Sequence, residues 1–285
     1  MVGPPPVSPV TISIGIPAYR GAAHIGATIE SVLAQSFADF ELVVIDDDSP
    51  DDTYAIASAY KDPRVRCLRN QRNLGPQGNW NRCLDEAAGR YFRLLPQDDL
   101  LAPDCLRRQL EVLEADTRRE LALVFSARTI LNERGQPILE RRPFGRQPQR
   151  LTGAALFRRC LHRGTNVIGE PGGVMFRLDL AKTIGAFDAT FPYVVDLDYW
   201  LRLLAHGDGY YLPDCLASFR VSSSAWSVVL GARQSAQFAG LMAQKANEGQ
   251  WRAGAGDLMM ARVLASTNNI ARLMLYRVMF RGSAQ

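Results

Sequence analysis

Residues 41–60 read ELVVIDDDSPDDTYAIASAY, an apolar run that stops at three aspartates and gives way to a segment of helical length. The run 41–45 has the composition of a strand. Beyond the aspartates, Ser49 is placed to cap a helix over about 52–61 and Pro50 to be its first residue. Asp51 and Asp52 then sit where the helix dipole favours negative charge. Asp46 and Asp47 precede that cap and are not explained by it. They stand at the strand's end, where a carboxylate is able to accept hydrogen bonds from a ligand.

The same unit repeats outward from this stretch. Strand 11–16 (TISIGI) leads to a helix near 22–36 with Ile25, Ile29, Val32 and Leu33 on one face. Strand 64–69 leads to a helix near 77–88, strand 91–95 leads to one at about 103–115, and strand 121–127 closes the set. Strands alternating with helices predict a mostly parallel sheet flanked by helices, a Rossmann-like α/β fold. Past residue 131 the character changes. NERGQP (132–137) reads as a hairpin turn and 141–150 as a basic loop; a helix around 153–162, a strand at 173–177, a helix over 196–206 and a strand at 214–221 come next. Residues 233–280 read as helical, either a pair docked on the body or a peripheral membrane contact. The chain thus divides into a Pro-rich tail (1–10) expected to be disordered, a ligand-binding half (11–131), a second half (132–230) and a helical extension (231–285).

The formal charge of +4 is mild and the basic residues are scattered, so no nucleic-acid partner is expected. Cys67, Cys83, Cys105, Cys160 and Cys215 are odd in number and form no CxxC pair, the usage of reduced thiols in a cytosolic protein. Residues 1–9 lack the basic and apolar regions of a signal peptide, and no apolar run reaches the ~18 residues of a spanning helix. A soluble cytoplasmic protein is expected.

In an open parallel sheet, ligands bind beyond the carboxyl ends of the strands. After the first strand come Pro17, Ala18, Tyr19 and Arg20; after the second, Asp46, Asp47 and Asp48; after the third, NQRNLGPQGNWN (70–81), which holds Asn79; after the fourth, Pro96, Gln97, Asp98 and Asp99. Tyr19 is either a surface aromatic or a stacking platform, and Trp80 reads as core. The neighbouring charges of Asp98 and Asp99 need a counter-charge. A turn ahead of the next helix is the ordinary explanation, but Asp104 already supplies that helix's first-turn acid. The pair is therefore read as ligands for Mg²⁺ or Mn²⁺, which take one or two carboxylates plus substrate phosphates. Asp196 comes after two valines, either as the cap of its helix or as a general base whose pKa is raised by desolvation. Asp198, two residues on, lies on another face. GxGxxG, GxxxxGK[ST] and HExxH are absent, and His24, His162 and His206 all fall in helical segments, so no catalytic triad assembles.

Taken in order, SIGIPAYRG, FELVVIDDDSPDDT, NLGPQGNWNRCL, LLPQDDLLAP, GGVMFRLDLAKTIGAFD and VDLDYWLRLL resemble the successive motifs of family 2 glycosyltransferases, over about residues 11–222. These are inverting nucleotide-sugar transferases of the GT-A fold. The resemblance implies that Pro17, Ala18, Tyr19, Asp47, Asn79 and Gln97 bind the nucleotide-sugar. It implies that Asp98 faces the donor and shares a metal with Asp99, that Gly172, Gly173 and Asp198 lie on the acceptor side, and that Asp196 is the catalytic base. The cofactor it implies is Mn²⁺ or Mg²⁺, the donor a UDP-, GDP- or dTDP-sugar, and the acceptor a glycan or lipid-linked saccharide of the cell envelope. The C-terminal helices would then meet the inner face of the membrane.

The sequence departs from the family's pattern at four places. Asp48 stands where glycine is usual, Arg20 where asparagine is usual, Gln97 in place of an acid or threonine, and Ser222 where many relatives carry a histidine. The QxxRW signature and membrane spans of processive synthases are missing, which favours one sugar per visit. A sugar-nucleotide pyrophosphorylase would need a glycine-rich phosphate loop where PAYRGAAH (17–24) stands, and a glycosidase two carboxylates across a sugar. A non-catalytic nucleotide-sugar-binding protein is the third alternative.

Overall fold

The computed structural model describes residues 10–221 and 233–280; the expected tail up to residue 9, and Ser222, lie outside the described residues. Ten strands form one sheet: β1 (Ile12–Ala18), β2 (Phe40–Asp46), β3 (Val65–Arg69), β4 (Tyr91–Leu94), β5 (Leu100–Leu101), β6 (Leu121–Leu131), β7 (Pro137–Arg141), β8 (Gln149–Leu151), β9 (Val174–Arg177) and β10 (Asp208–Arg220). The main path runs β3-β2-β1-β4-β9-β6-β10-β5. From β3 to β10 only β9 is reversed, being antiparallel to both β4 and β6. Around the sheet lie α1 (Ile25–Leu33), α2 (Thr53–Ser58), α3 (Gly75–Asp85), α4 (Cys105–Ala115), α5 (Gly153–Arg163), α6 (Leu178–Ile184), α7 (Val195–Leu204), α8 (Gln234–Asn247) and α9 (Ala255–Phe280).

Helices cover both faces, which is why the strands read as unbroken apolar runs. Ile12, Ile14, Ile16, Leu42 and Val44 share one core with Ile25, Ile29 and Val32 of α1 and Leu106, Leu110 and Leu113 of α4. Val43, Ile45, Phe92 and Leu94 share the other with Cys83 and Leu84 of α3 and with residues of α5 and α7. Each fully buried Ile or Leu contributes roughly 1.5–3 kcal/mol. Gly15 permits the close approach of α3 to β1, since a Cβ there would lie 2.7 Å from Cys83 Cβ.

The helical pair docks on the body, with Phe238, Leu241 and Met242 of α8 and Ala261 and Ala265 of α9 in the core. NERGQP is the β6–β7 hairpin, closed by Asn132 N–H donating to Gln136 O at 2.9 Å. Several elements differ from the sequence reading. Pro17 and Ala18 belong to β1, where they pair with Ile45 and Asp46. Ser49 does not cap α2; that helix starts at Thr53, with Asp52 in the cap position, and Ser49 Oγ accepts instead from Arg20 N–H at 3.1 Å. α6 is only seven residues long, too short to display a helical period. β10 starts at Asp208, its early part disguised by Pro213 and by register shifts on both sides of Cys215.

Candidate active site

Parallel register sets Ala18, Asp46 and Arg69 level at the carboxyl edge of the sheet. One residue beyond, the buried Asp47 accepts two hydrogen bonds on Oδ1, from Asn70 Nδ2 at 2.6 Å and Leu74 N–H at 2.8 Å. Asn70 also donates to Asn79 Oδ1, and Asn79 donates to Ile45 O at 2.9 Å. The structure thus brings Asp47 and Asn79 together through Asn70, a linking residue that the sequence reading missed. Asp46 is a scaffold acid, fully buried between Ser49 N–H and Arg69. Pro17 and Ala18 line the end of β1, and Tyr19 beyond them is 40% exposed. Its backbone is clamped by Gln97, which accepts from Tyr19 N–H and donates to Tyr19 O, both at 2.8 Å. Arg20 and Asp48, two of the departures from the family's pattern, have φ of 52° and 58°. Both lie in the left-handed region that glycine and asparagine tolerate best.

Asp98 is half-buried and Asp99 is 1% exposed. Their neighbour is Arg220, which the sequence reading missed. Its backbone N–H donates to Asp99 Oδ1 and its Nε to Asp98 O, each at 3.0 Å. Asp99 Oδ2 is buried with no hydrogen-bond partner. Burial, then repulsion from Asp98 and more weakly from Glu170, pushes the Asp99 carboxyl well above its ordinary range, while Arg220 opposes them. Burial also raises Asp98, against the pull of His24 and Arg220. An orphaned carboxylate oxygen facing a second acid fits a cation. Among the described residues no group of three or more His, Cys, Asp or Glu is arranged to hold a metal.

Gly172 and Gly173 form a 3-10 turn with Pro171 just before β9. A Cβ on Gly172 would lie 3.4 Å from Asp99 Oδ2, so the turn is pressed against that carboxylate. Arg93, fully buried in β4, holds it there by donating to Gly172 O and to Gln109 Oε1.

Asp196 occupies the first turn of α7, with Val194 in the cap position, so it is not the helix cap. It stays partly accessible, yet the surrounding protein desolvates its carboxyl and lifts the pKa to about 7. Glu170 adds to the lift; hydrogen bonds from Leu197 N–H at 2.7 Å and Asn166 Nδ2 at 3.0 Å oppose it. Asp198 points its carboxylate elsewhere, into ion pairs with Arg202 at 2.8 Å and Lys245 at 2.9 Å that tie α7 to α8. Glu170, ion-paired with the buried Arg128, acts on both Asp99 and Asp196 and so links the two acidic centres. Asn166, Glu170 and Arg128 carried no periodic or motif signal.

Residues 13–166, more than half of the chain, match the family model described as Glycosyl transferase family 2. The chain belongs to this family. Like the glycosyltransferases of that family, it has the GT-A fold. It is 34% identical over 217 residues to an uncharacterized protein of Mycobacterium tuberculosis, covering 73% of this chain and 66% of that one. It is 31% identical over 198 residues to the UDP-Glc:alpha-D-GlcNAc-diphosphoundecaprenol beta-1,3-glucosyltransferase WfaP of Escherichia coli, covering 69% and 71%. Among solved structures, the mannosyltransferase PcManGT of Pyrobaculum calidifontis, in complex with GDP-Man and Mn²⁺, superposes with a TM-score of 0.66 at 17% identity, covering 97% of this chain and 78% of that one.

Proposed function

We propose that this family 2 glycosyltransferase moves a single sugar, with inversion, from a nucleotide-sugar to an acceptor hydroxyl in the synthesis of a cell-envelope polysaccharide or lipid-linked oligosaccharide. The observation that carries the reading is a pair of unlike acids across one site. Asp99 has an orphaned buried oxygen on the donor side, and Asp196, titrating at about 7, is poised to accept a proton near neutral pH.

Asp196 takes the proton of the acceptor hydroxyl as its oxygen bonds to the anomeric carbon. The bond from that carbon to the nucleoside diphosphate breaks at the same time, and its electron pair leaves with the diphosphate. A single displacement from the opposite face inverts the anomeric configuration. Asp47, steadied by Asn70, receives the base and ribose with Asn79 behind it, and Pro17, Ala18 and Tyr19 wall that side. Gln97 keeps the wall in place. Asp98 and Asp99 would hold Mn²⁺ or Mg²⁺, which supplies positive charge against the departing diphosphate. Gly172 and Gly173 face the acceptor, and Asp198 serves the scaffold through its ion pairs.

The named substrates of relatives support a nucleotide-sugar donor, UDP-Glc for the E. coli protein and GDP-Man for the archaeal one. The diphosphoundecaprenol in the E. coli protein's name supports a lipid-linked acceptor. No helix among the described residues is long and apolar enough to cross a membrane. In this reading the chain works at the cytoplasmic face, with α8 and α9 towards the membrane.

The test is thermal stabilisation by UDP-, GDP- and dTDP-sugars with and without Mn²⁺, since a ligand that binds the native state raises its melting point. One donor should raise Tm by several degrees, more with Mn²⁺, and Asp99→Asn should lose the Mn²⁺-dependent part. Equal stabilisation of variant and parent would contradict the metal assignment.

A further inference from the structure

Beside the proposed base the protein gathers guanidinium groups that the transfer step does not use. Arg128 on β6 and Arg141 on β7 stand opposite each other in the antiparallel ladder, a placement that is destabilising for like charges unless something compensates it. Arg128 is nearly inaccessible, its side chain 5% exposed. Its Nε side is ion-paired with Glu170, but its Nη1 is buried with no hydrogen-bond partner. Arg272 arrives from α9, donating to Tyr193 Oη and to Gln234 Oε1, neither of which is charged.

Arg141 reaches solvent, yet desolvation by its neighbours, and after it repulsion from Arg128 and Arg272, pushes its guanidinium below the ordinary range. Glu170 and Tyr193 pull the other way. Among the described residues Arg128 is paired with Glu170, Arg141 feels the same carboxylate, and Arg272 bonds the neutral Tyr193 and Gln234. A network serving stability alone would match its charges, because an unpaired buried N–H costs about 1–3 kcal/mol, more when charged.

The cluster abuts the proposed base on two sides. Tyr193 lies in the 3-10 turn Pro192–Val194, which runs directly into α7 and Asp196. Glu170 acts electrostatically on Asp196 and on Arg141 alike. An anion seated here would lie close to Asp196, on the side where the acceptor hydroxyl is proposed to meet that carboxylate. Planar guanidinium forks suit phosphate, which accepts paired hydrogen bonds and carries enough charge to offset the excess.

We propose that Arg128, Arg141 and Arg272 receive the phosphate or diphosphate of the acceptor, so that the enzyme elongates a saccharide joined to a phosphate-bearing carrier. This rests on the glycosyl-transfer function proposed for the same site and narrows its acceptor to an anionic class.

Calorimetric titration tests it with three probes: an N-acetylglucosaminyl diphosphate bearing a short alkyl chain, the neutral alkyl N-acetylglucosaminide, and an alkyl glucuronide as a carboxylate control. The diphosphate should bind the parent at least about ten-fold more tightly than the neutral glycoside. Arg141→Gln and Arg272→Gln should each weaken it about ten-fold and leave the neutral glycoside, and the Mn²⁺-dependent stabilisation by donor, unchanged. Arg128→Gln should do the same if it folds; the other two variants decide the matter if it does not. Equal binding of diphosphate and neutral probes, indifference to both variants, or preference for the glucuronide would overturn the proposal. Donor stabilisation is read separately: if it persists while the acceptor probes are indifferent, only the acceptor assignment falls. If no donor stabilises the protein, the transferase function itself falls.

Discussion

Asn166 donates its side-chain amide to Asp196 Oδ2 at 3.0 Å, while its own carbonyl oxygen is held by Ile168 N–H and Gly169 N–H, both at 3.0 Å. The amide cannot turn without breaking those bonds, so it presents one donor to the carboxylate in one orientation. Its effect is to favour the charged form against the burial that raises the Asp196 pKa. A hydrogen bond to a charged group contributes about 1.5–3 kcal/mol, and one pKa unit corresponds to about 1.4 kcal/mol. Asn166→Ala is therefore expected to move the acid limb of the kcat/KM profile to higher pH by about one unit. The loss of rate should be larger at pH 7 than at pH 9. A limb that stays in place would separate Asn166 from the base.

Asp196→Asn should lower kcat about 10²- to 10⁴-fold, the usual contribution of a general base, with donor stabilisation retained. Its stability has a signed pH dependence. An unfolded aspartate titrates near ~3.9 and the folded one at about 7, so between these values the folded state holds a proton that the unfolded state lacks. Stability from this group is fully present below about pH 4 and is lost as pH rises through about 7. Asparagine mimics the neutral form throughout. The Tm of the variant should thus match the parent at about pH 4, exceed it increasingly as pH rises towards about 7 and stay above it beyond that, and a constant difference would remove the raised pKa.

The two glycines of the 171–173 turn should behave differently. A Cβ on Gly172 would meet Leu95 Cδ1 at 3.2 Å and Asp99 Oδ2 at 3.4 Å, whereas on Gly173 the nearest atom is Ser126 O at 4.0 Å. Gly172→Ala is expected to cost about 1 kcal/mol through overpacking and to cut the Mn²⁺-dependent donor stabilisation by half or more. Gly173→Ala should stay within about 0.5 kcal/mol of the parent. Chemical denaturation and the thermal-shift screen read both effects.

The contrast between these residues tells what was legible in the sequence. Asp47, Asp98 and Asp99 stand directly after apolar strands, so the strand-then-helix pattern located them without any tertiary information. Asp196 was legible as an acid behind two valines, although whether it capped its helix needed the backbone. Arg220 reaches Asp99 from 121 residues away, and the 166–173 segment arrives only because β9 is inserted between β4 and β6. No local period or motif encodes those meetings. Arg93 left a faint mark, a lone charge inside an apolar strand, whose partners Gly172 and Gln109 come from elsewhere in the chain.

The departures at Arg20 and Asp48 become testable once their backbone is known. Both residues carry left-handed φ, which costs an ordinary side chain about 1–2 kcal/mol and aspartate or asparagine less. Arg20 bonds Ser49 Oγ only through its backbone N–H, which any replacement keeps. Its guanidinium lies 5.3 Å from the Tyr19 ring centre at an exposed position, a contact contributing about 0.5–1 kcal/mol at most. Arg20→Asn should therefore raise stability by about 0.5 kcal/mol. Asp48→Gly should change it little, because relief of a milder strain is offset by loss of the half-exposed ion pair with Arg69 at 3.0 Å, itself worth about 0–1 kcal/mol. Urea midpoints at constant m-value resolve the two. An Arg20→Asn protein less stable than its parent would show that the arginine's contact with Tyr19 outweighs the backbone strain.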